Sequence, residues 1–319
     1  SRHRFGQIAA VCHGRVMPWL SAKRERVRRA VSVLLTAAIA GSAMIAAARA
    51  SDLPRIASIN ACTDQLLLAL ADPEQILGLG PYSRDTARSW GAADAHRYPR
   101  LSGEAEDVLV LKPDVVVAGS FTKLATRTLL KEQGLRLVTF DVAHSLDEVK
   151  AQLRQMGELT GHPDRAAALN ARIDAAAART RQLVARGQYS VLSISRRGWV
   201  SGSRSLISSL LAEVGLSNAA GELGLKYGGF ASLEAIISLR PDFILVSNDS
   251  EFAEDEGRAF LLHPALERFY PPSKRLVVPE RMTVCGGPMV VDALDRLVAE
   301  LERVERTASA PARSAITTR

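Results

Sequence analysis

Glu106-Asp-Val-Leu-Val-Leu-Lys112-Pro113-Asp114-Val-Val-Val117 recurs as Glu234-Ala-Ile-Ile-Ser-Leu-Arg240-Pro241-Asp242-Phe-Ile-Leu245, each matched position 128 residues further on. In both copies a short amphipathic stretch opening on a glutamate runs into a proline that must stop a helix, and an uninterrupted apolar run follows. An unbroken apolar strand is what a parallel sheet covered on both faces requires. The duplication therefore predicts two similar α/β lobes.

The flanking sequence alternates in the same way. Strands are expected at 55–59, 75–79, 115–118 and 136–140, with helices at 64–70, 106–111 and 124–133. The second set has strands at 190–194, 243–246 and 275–278 and helices at 205–214, 233–239 and 290–304. Between the sets, 146–160 and 163–186 are rich in Ala, Leu, Arg and Gln and carry no strand signal. Pro163 suits a first helical turn and Gly187 a helix end. A helix over 163–186 would span roughly 36 Å at 1.5 Å per residue, enough to cross the back of both lobes. The expected fold class is α/β, with two similar lobes of mainly parallel sheet joined by one long spanning α-helix. The expected boundaries are a leader at 1–50, an N-terminal lobe at 51–145, connecting helices at 146–187, a C-terminal lobe at 188–306 and a disordered tail at 307–319.

The net charge of +7 suggests a polyanion binder until the charge is located. Residues 1–50 hold nine of the 41 basic residues and one of the 34 acidic ones, so the remaining 32 and 33 nearly cancel. Nucleic-acid binding needs clustered positive charge and is not expected. Lys23, Arg24, Arg26, Arg28 and Arg29 precede an apolar run that closes on Ala48-Arg49-Ala50. This is the order of a secretory signal, so export to the periplasm with cleavage before Ser51 is expected, and residues 1–16 read as an upstream extension. The mature chain keeps Cys62 and Cys285, 223 residues apart. In an oxidising compartment they form either a disulfide or two separate buried thiols, and sequence leaves both open.

No enzyme is expected. Gly-x-x-x-x-Gly-Lys-Ser/Thr, Gly-x-Ser-x-Gly and His-Glu-x-x-His are all absent. Of the six histidines, none is paired at i,i+4, and His162 and His263 each precede a proline as turn or cap residues. A direct zinc or manganese receptor would have to draw on His96 and His144 with Asp64 or Asp249, and their spacing does not support it.

Arg55-Ile-Ala-Ser-Ile-Asn60, Ile76-Leu-Gly-Leu-Gly80 and the repeated Leu-Lys/Arg-Pro-Asp strands, behind an export signal, resemble the periplasmic solute-binding proteins for cobalamin and iron–siderophores over about residues 54–305. The resemblance implies a monomeric receptor with ligand held between the lobes, which docks on the permease dimer of an ABC importer through one surface glutamate per lobe. Glu106 and Glu234 match that pattern. Ligands of open α/β sheets sit beyond the carboxyl ends of the strands. The loops there offer Tyr82, Arg84, Phe121, Arg196, Arg197, Trp199, Tyr227 and Arg281 as ligand-binding candidates. Tyr82 and Trp199 fall where corrinoid-binding relatives place aromatics, whereas Gly119 and Gly228 or Gly229 stand where tryptophans would be expected. The guanidinium groups suit an anionic metal chelate. An iron–siderophore is thus the first expectation and a corrinoid the next, with no resident cofactor. The alternatives are a direct transition-metal or heme receptor using Cys62 and Cys285, or a chelatase-like or redox protein of related two-lobed fold.

Overall fold

The N-terminal lobe is built from β1 (Ile56–Ser58), α1 (Ala61–Leu70), β2 (Ile76–Gly78), α2 (Ala92–Ala95), α3 (Ala105–Leu111), β3 (Val115–Gly119), α4 (Leu124–Glu132) and β4 (Arg136–Phe140). Its sheet is wholly parallel, in the order β2-β1-β3-β4, and β3 is buried along its whole length. Two helices follow, α5 (Leu146–Thr160) and α6 (Pro163–Leu183). The second lobe comprises β5 (Ser190–Ser193), β6 (Trp199–Ser201), α7 (Leu206–Glu213), β7 (Ser217–Asn218), β8 (Gly228–Phe230), α8 (Leu233–Leu239), β9 (Phe243–Val246), α9 (Pro264–Phe269), β10 (Arg275–Val277) and α10 (Val290–Ser309). Its parallel sheet runs β10-β9-β5-β7, so each lobe places its four sheet strands in the same spatial order, second, first, third, fourth. This computed structural model describes residues 53–183, 189–247 and 259–309, and those from Pro54 onward belong to one compact unit. The leader, its cleavage site, residues 184–186 of the expected spanning helix, Asp249 and residues 310–319 lie outside the described residues.

The duplicated motif has a local cause in each lobe. α3 and α8 both end on a left-handed residue, Lys112 (φ 47°) and Arg240 (φ 53°), directly before a buried proline. Proline disfavours the right-handed helical region for the residue ahead of it, so the helix must break there. The aspartate that follows then ties the third strand to the first. Asp114 accepts the Arg55 backbone N–H at 2.7 Å, and Asp242 accepts that of Ser190 at 2.8 Å.

α5 starts on Ser145, whose hydroxyl accepts the Glu148 N–H, and stops on Gly161 at φ 77°. α6 packs against α5 and α10 through Ala166, Ile173, Ala176 and Ala177, and one continuous apolar core includes these together with Leu66 of the first lobe and Val191 of the second. Five of these elements escaped the sequence reading, the short helices α2 and α9 and three strands. β6, β7 and β8 are two or three residues long, and β8 holds Gly228 and Gly229, so none shows a strand pattern. α10 also runs to Ser309, so Thr307–Ser309 of the expected tail are helical.

Candidate functional site

A cleft opens between the lobes as three adjoining cavities of about 1030, 310 and 70 Å³ that share several walls. The N-terminal lobe contributes Phe121, Asp141, Val142 and His144, and the start of α5 adds Glu148, Gln152 and Gln155. The C-terminal lobe contributes Trp199 and Tyr227, with Ser193, Ser195, Ser201 and Glu280 deeper in. Among the described residues lining these cavities there are three carboxylates, Asp141, Glu148 and Glu280, and neither lysine nor arginine.

The loop after β4 is shaped by α5. Glu148 reaches back so that its Oε2 accepts the His144 backbone N–H at 2.7 Å, while Ser145 caps the helix. This fixes the turn that carries His144, whose ring faces that of Tyr227 with centroids 5.8 Å apart. On the opposite wall, β6 and β8 form an antiparallel ribbon in which Trp199 pairs with Phe230, their rings edge-on at 5.1 Å. The ribbon continues past its ladder, where Ser203 and Arg204 donate to the carbonyls of Leu225 and Lys226. Gly202 is required there because a Cβ would lie 2.3 Å from the Lys226 carbonyl oxygen. The ribbon thus presents Trp199, Tyr227 and Phe230 as exposed aromatics on one scaffold.

At the base of the cleft, Cys62 and Cys285 form a disulfide with Cα atoms 5.2 Å apart. Asn60 caps α1 by accepting the Cys62 and Thr63 N–H groups, which places Cys62 in its first turn. Cys285 arrives on the segment returning from β10, where Gly286 is pressed against Val149 and Ala143. The bond closes the reading of two separate thiols. It also removes the alternative of a metal held by Cys62 and Cys285, because a disulfide has no thiolate to offer. Among the described residues no cluster of His, Cys, Asp or Glu is arranged to hold a metal ion.

Of the eight ligand-binding candidates, Phe121, Trp199 and Tyr227 stand on the cleft walls. The other five lie outside the linings of these three cavities. Arg84 donates from Nη2 to the Tyr98 carbonyl at 2.6 Å, and Tyr82 lies beneath the Arg88 guanidinium at 5.6 Å. Arg196 and Arg197 occupy the turn between β5 and β6, Arg197 in the left-handed region (φ 59°), and Arg281 lies in the turn Glu280–Met282. The stretch 141–155 was missed as a cleft wall, although the rule that ligands gather beyond strand carboxyl ends applies to β4 as to the others. Glu106 and Glu234 are exposed first-turn residues of α3 and α8. A crossover helix runs antiparallel to its strands, so both glutamates come at the sheet ends where the cleft opens. The Glu234 carboxyl is held below its usual range by its own backbone N–H and by the Ser232 hydroxyl.

Two parallel-sheet lobes bridged by helices, with a ligand-sized cleft between them, define a two-lobed solute-binding fold. The chain belongs to the periplasmic binding protein family, which its residues 56–271 match. It is similar in structure to the periplasmic heme-binding protein RhuT from Roseiflexus sp. RS-1, with TM-score 0.63 and 23% identity over 78% of this chain and 98% of that one. A periplasmic heme-binding protein from Pseudomonas aeruginosa gives TM-score 0.65 and 23% identity over 77% and 92%. A protein of an ABC-type Fe3+-hydroxamate transport system from Saccharomonospora viridis gives 0.62 and 20% over 78% and 93%. No curated protein sequence matches the chain. Among the described residues no helix is long and apolar enough to cross a membrane.

Proposed function

We propose that this chain is the ligand-capturing component of an ABC importer, taking an iron chelate into the cleft between its lobes and delivering it to a membrane permease. It breaks and makes no covalent bond. The observation that carries the reading is the meeting of Tyr227 and His144 from opposite lobes, with ring centroids 5.8 Å apart, beside Phe121 and Trp199. A phenol and an imidazole are both donors to iron, and flanking aromatic faces suit a flat conjugated ring. This favours an iron tetrapyrrole of the heme kind over the anionic siderophore expected from the loop arginines, because those arginines do not line the cleft. The names of two structural neighbours agree with it. A second reading is a neutral ferric hydroxamate, favoured by the carboxylates and by the absence of lysine and arginine among the described residues of the walls. Glu106 and Glu234, one per lobe at the cleft end, would meet basic residues of the two permease subunits, with the receptor acting as a monomer.

Ferric protoporphyrin titrated into residues 51–319 should produce a saturable Soret band. Tyr227→Ala and His144→Ala should each shift that band and weaken binding by about tenfold or more, the effect of losing about 1.4 kcal/mol. Quenching of tryptophan fluorescence by a ferric hydroxamate with no Soret response would select the second reading. Binding of neither chelate at micromolar concentration would refute both.

A further inference from the structure

Tyr227 has a second neighbour. The Arg204 guanidinium carbon lies 5.8 Å from its ring centroid, within the range of a cation–π contact, and His144 faces the same ring from the other lobe. Arg204 is not a free-swinging loop residue at its backbone. Its N–H donates to the Lys226 carbonyl at 2.7 Å, the neighbouring Ser203 N–H donates to Leu225 at 2.9 Å, and the close approach at Gly202 holds the two segments together. The side chain is exposed. A guanidinium thereby stands beside Tyr227, a cleft aromatic in contact with His144 of the other lobe, and just outside the cavity linings, while the charged residues among the described ones that line the cleft itself, Asp141, Glu148 and Glu280, are all acidic.

That arrangement is electrically one-sided. A carboxylate on the edge of a bound chelate is repelled from the wall formed by Asp141 and Glu148 and accepted in bidentate fashion by a guanidinium. We propose that Arg204 is a specificity-determining residue of this cleft, which receives a carboxylate at the edge of the chelate and so sets which edge faces the C-terminal lobe. The inference rests on the iron-tetrapyrrole reading above and adds the acidic edge and its recognition. The sequence pattern hid Arg204 because it follows no predicted strand, and only the ribbon brings it to Tyr227.

The test uses ferric protoporphyrin, which carries two carboxylates, and its dimethyl ester, which carries none. Wild-type protein should bind the diacid more tightly than the ester. Arg204→Gln should weaken diacid binding by about tenfold or more, as expected for removing a hydrogen bond to a charged group, and change ester binding by less than about threefold. Arg204→Lys should fall between, retaining charge without the planar fork. Equal binding of both forms by the wild type, or an equal effect of Arg204→Gln on both, overturns the proposal and leaves Arg204 as a support for Tyr227 only. If the wild type binds neither form, the tetrapyrrole reading beneath it fails, and the inference with it.

Discussion

Asp64 lies in the first turn of α1, wholly buried behind the cleft floor. Its Oδ1 accepts the Gly80 N–H at 3.0 Å, and its Oδ2 is buried with no hydrogen-bond partner. Burial pushes its carboxyl from 3.8 to about 7, against the opposing pull of the Gly80 N–H and the Ser58 hydroxyl. A raised carboxylate value means that the folded state binds the proton more tightly than the unfolded chain. Folding stability is then unpenalised near pH 4 and falls as the pH rises towards 7. Three pH units at 1.36 kcal/mol each set the scale of that loss at about 4 kcal/mol. Asp64→Asn removes the titration while leaving an oxygen to accept the Gly80 N–H. Urea unfolding of both proteins with the disulfide intact, from pH 4.5 to 8, measures the effect. The stability of the variant relative to wild type should climb with pH and level off above 7, by about 3 kcal/mol across that window. Comparing the two curves cancels the carboxylates held low by their partners, such as Asp72 beside Arg165. Parallel curves over that range would show that Asp64 does not titrate there and would refute the reasoning.

Replacing Cys62 and Cys285 together by serine frees a 223-residue loop. Chain entropy puts the loss at about 5 kcal/mol at most, so reductant should lower the melting temperature of the wild type and leave that of the variant unchanged. Glu106→Ala combined with Glu234→Ala should abolish chelate uptake in cells while holding affinity within about threefold, since neither side chain lines the cleft cavities. Loss of binding in that double variant would remove the two glutamates from a docking role.

The two-lobed plan was readable because its determinants are local. Lys112-Pro113-Asp114 and Arg240-Pro241-Asp242 each end a helix through the proline, and the apolar run behind them has only one way to be buried. The same reasoning located the sheet strands β1, β2, β3, β4, β5, β9 and β10 to within a residue or two. The two sheets share one strand order, which only the structure supplies. The rule about strand ends, a statement of topology that needs no coordinates, put Phe121 and Trp199 among the candidates, and both line the cleft together with Tyr227, a candidate from the segment ahead of the repeated helix.

The chemistry of the cleft depended on residues that meet only after folding. His144 and Tyr227 are 83 residues apart and belong to different lobes, so no spacing could announce them as a pair. Cys62 and Cys285 left two readings open until the segment returning from β10 brought Cys285 back against the start of α1. The loop arginines seemed to line the site because the loops were right, but a loop position does not set the direction of a side chain. Arg84 turns to the Tyr98 carbonyl, while Arg204, on a ribbon too short and too glycine-rich to show a strand period, reaches Tyr227. Sequence by itself determined the class, the duplication and the absence of nucleophile and phosphate-binding motifs, since periodicity, proline stops and motif spacing act within one turn or one strand. Tertiary structure decided the disulfide, the acidic walls and the aromatic ribbon, because each is a contact between elements whose separation along the chain carries no information about their distance in space.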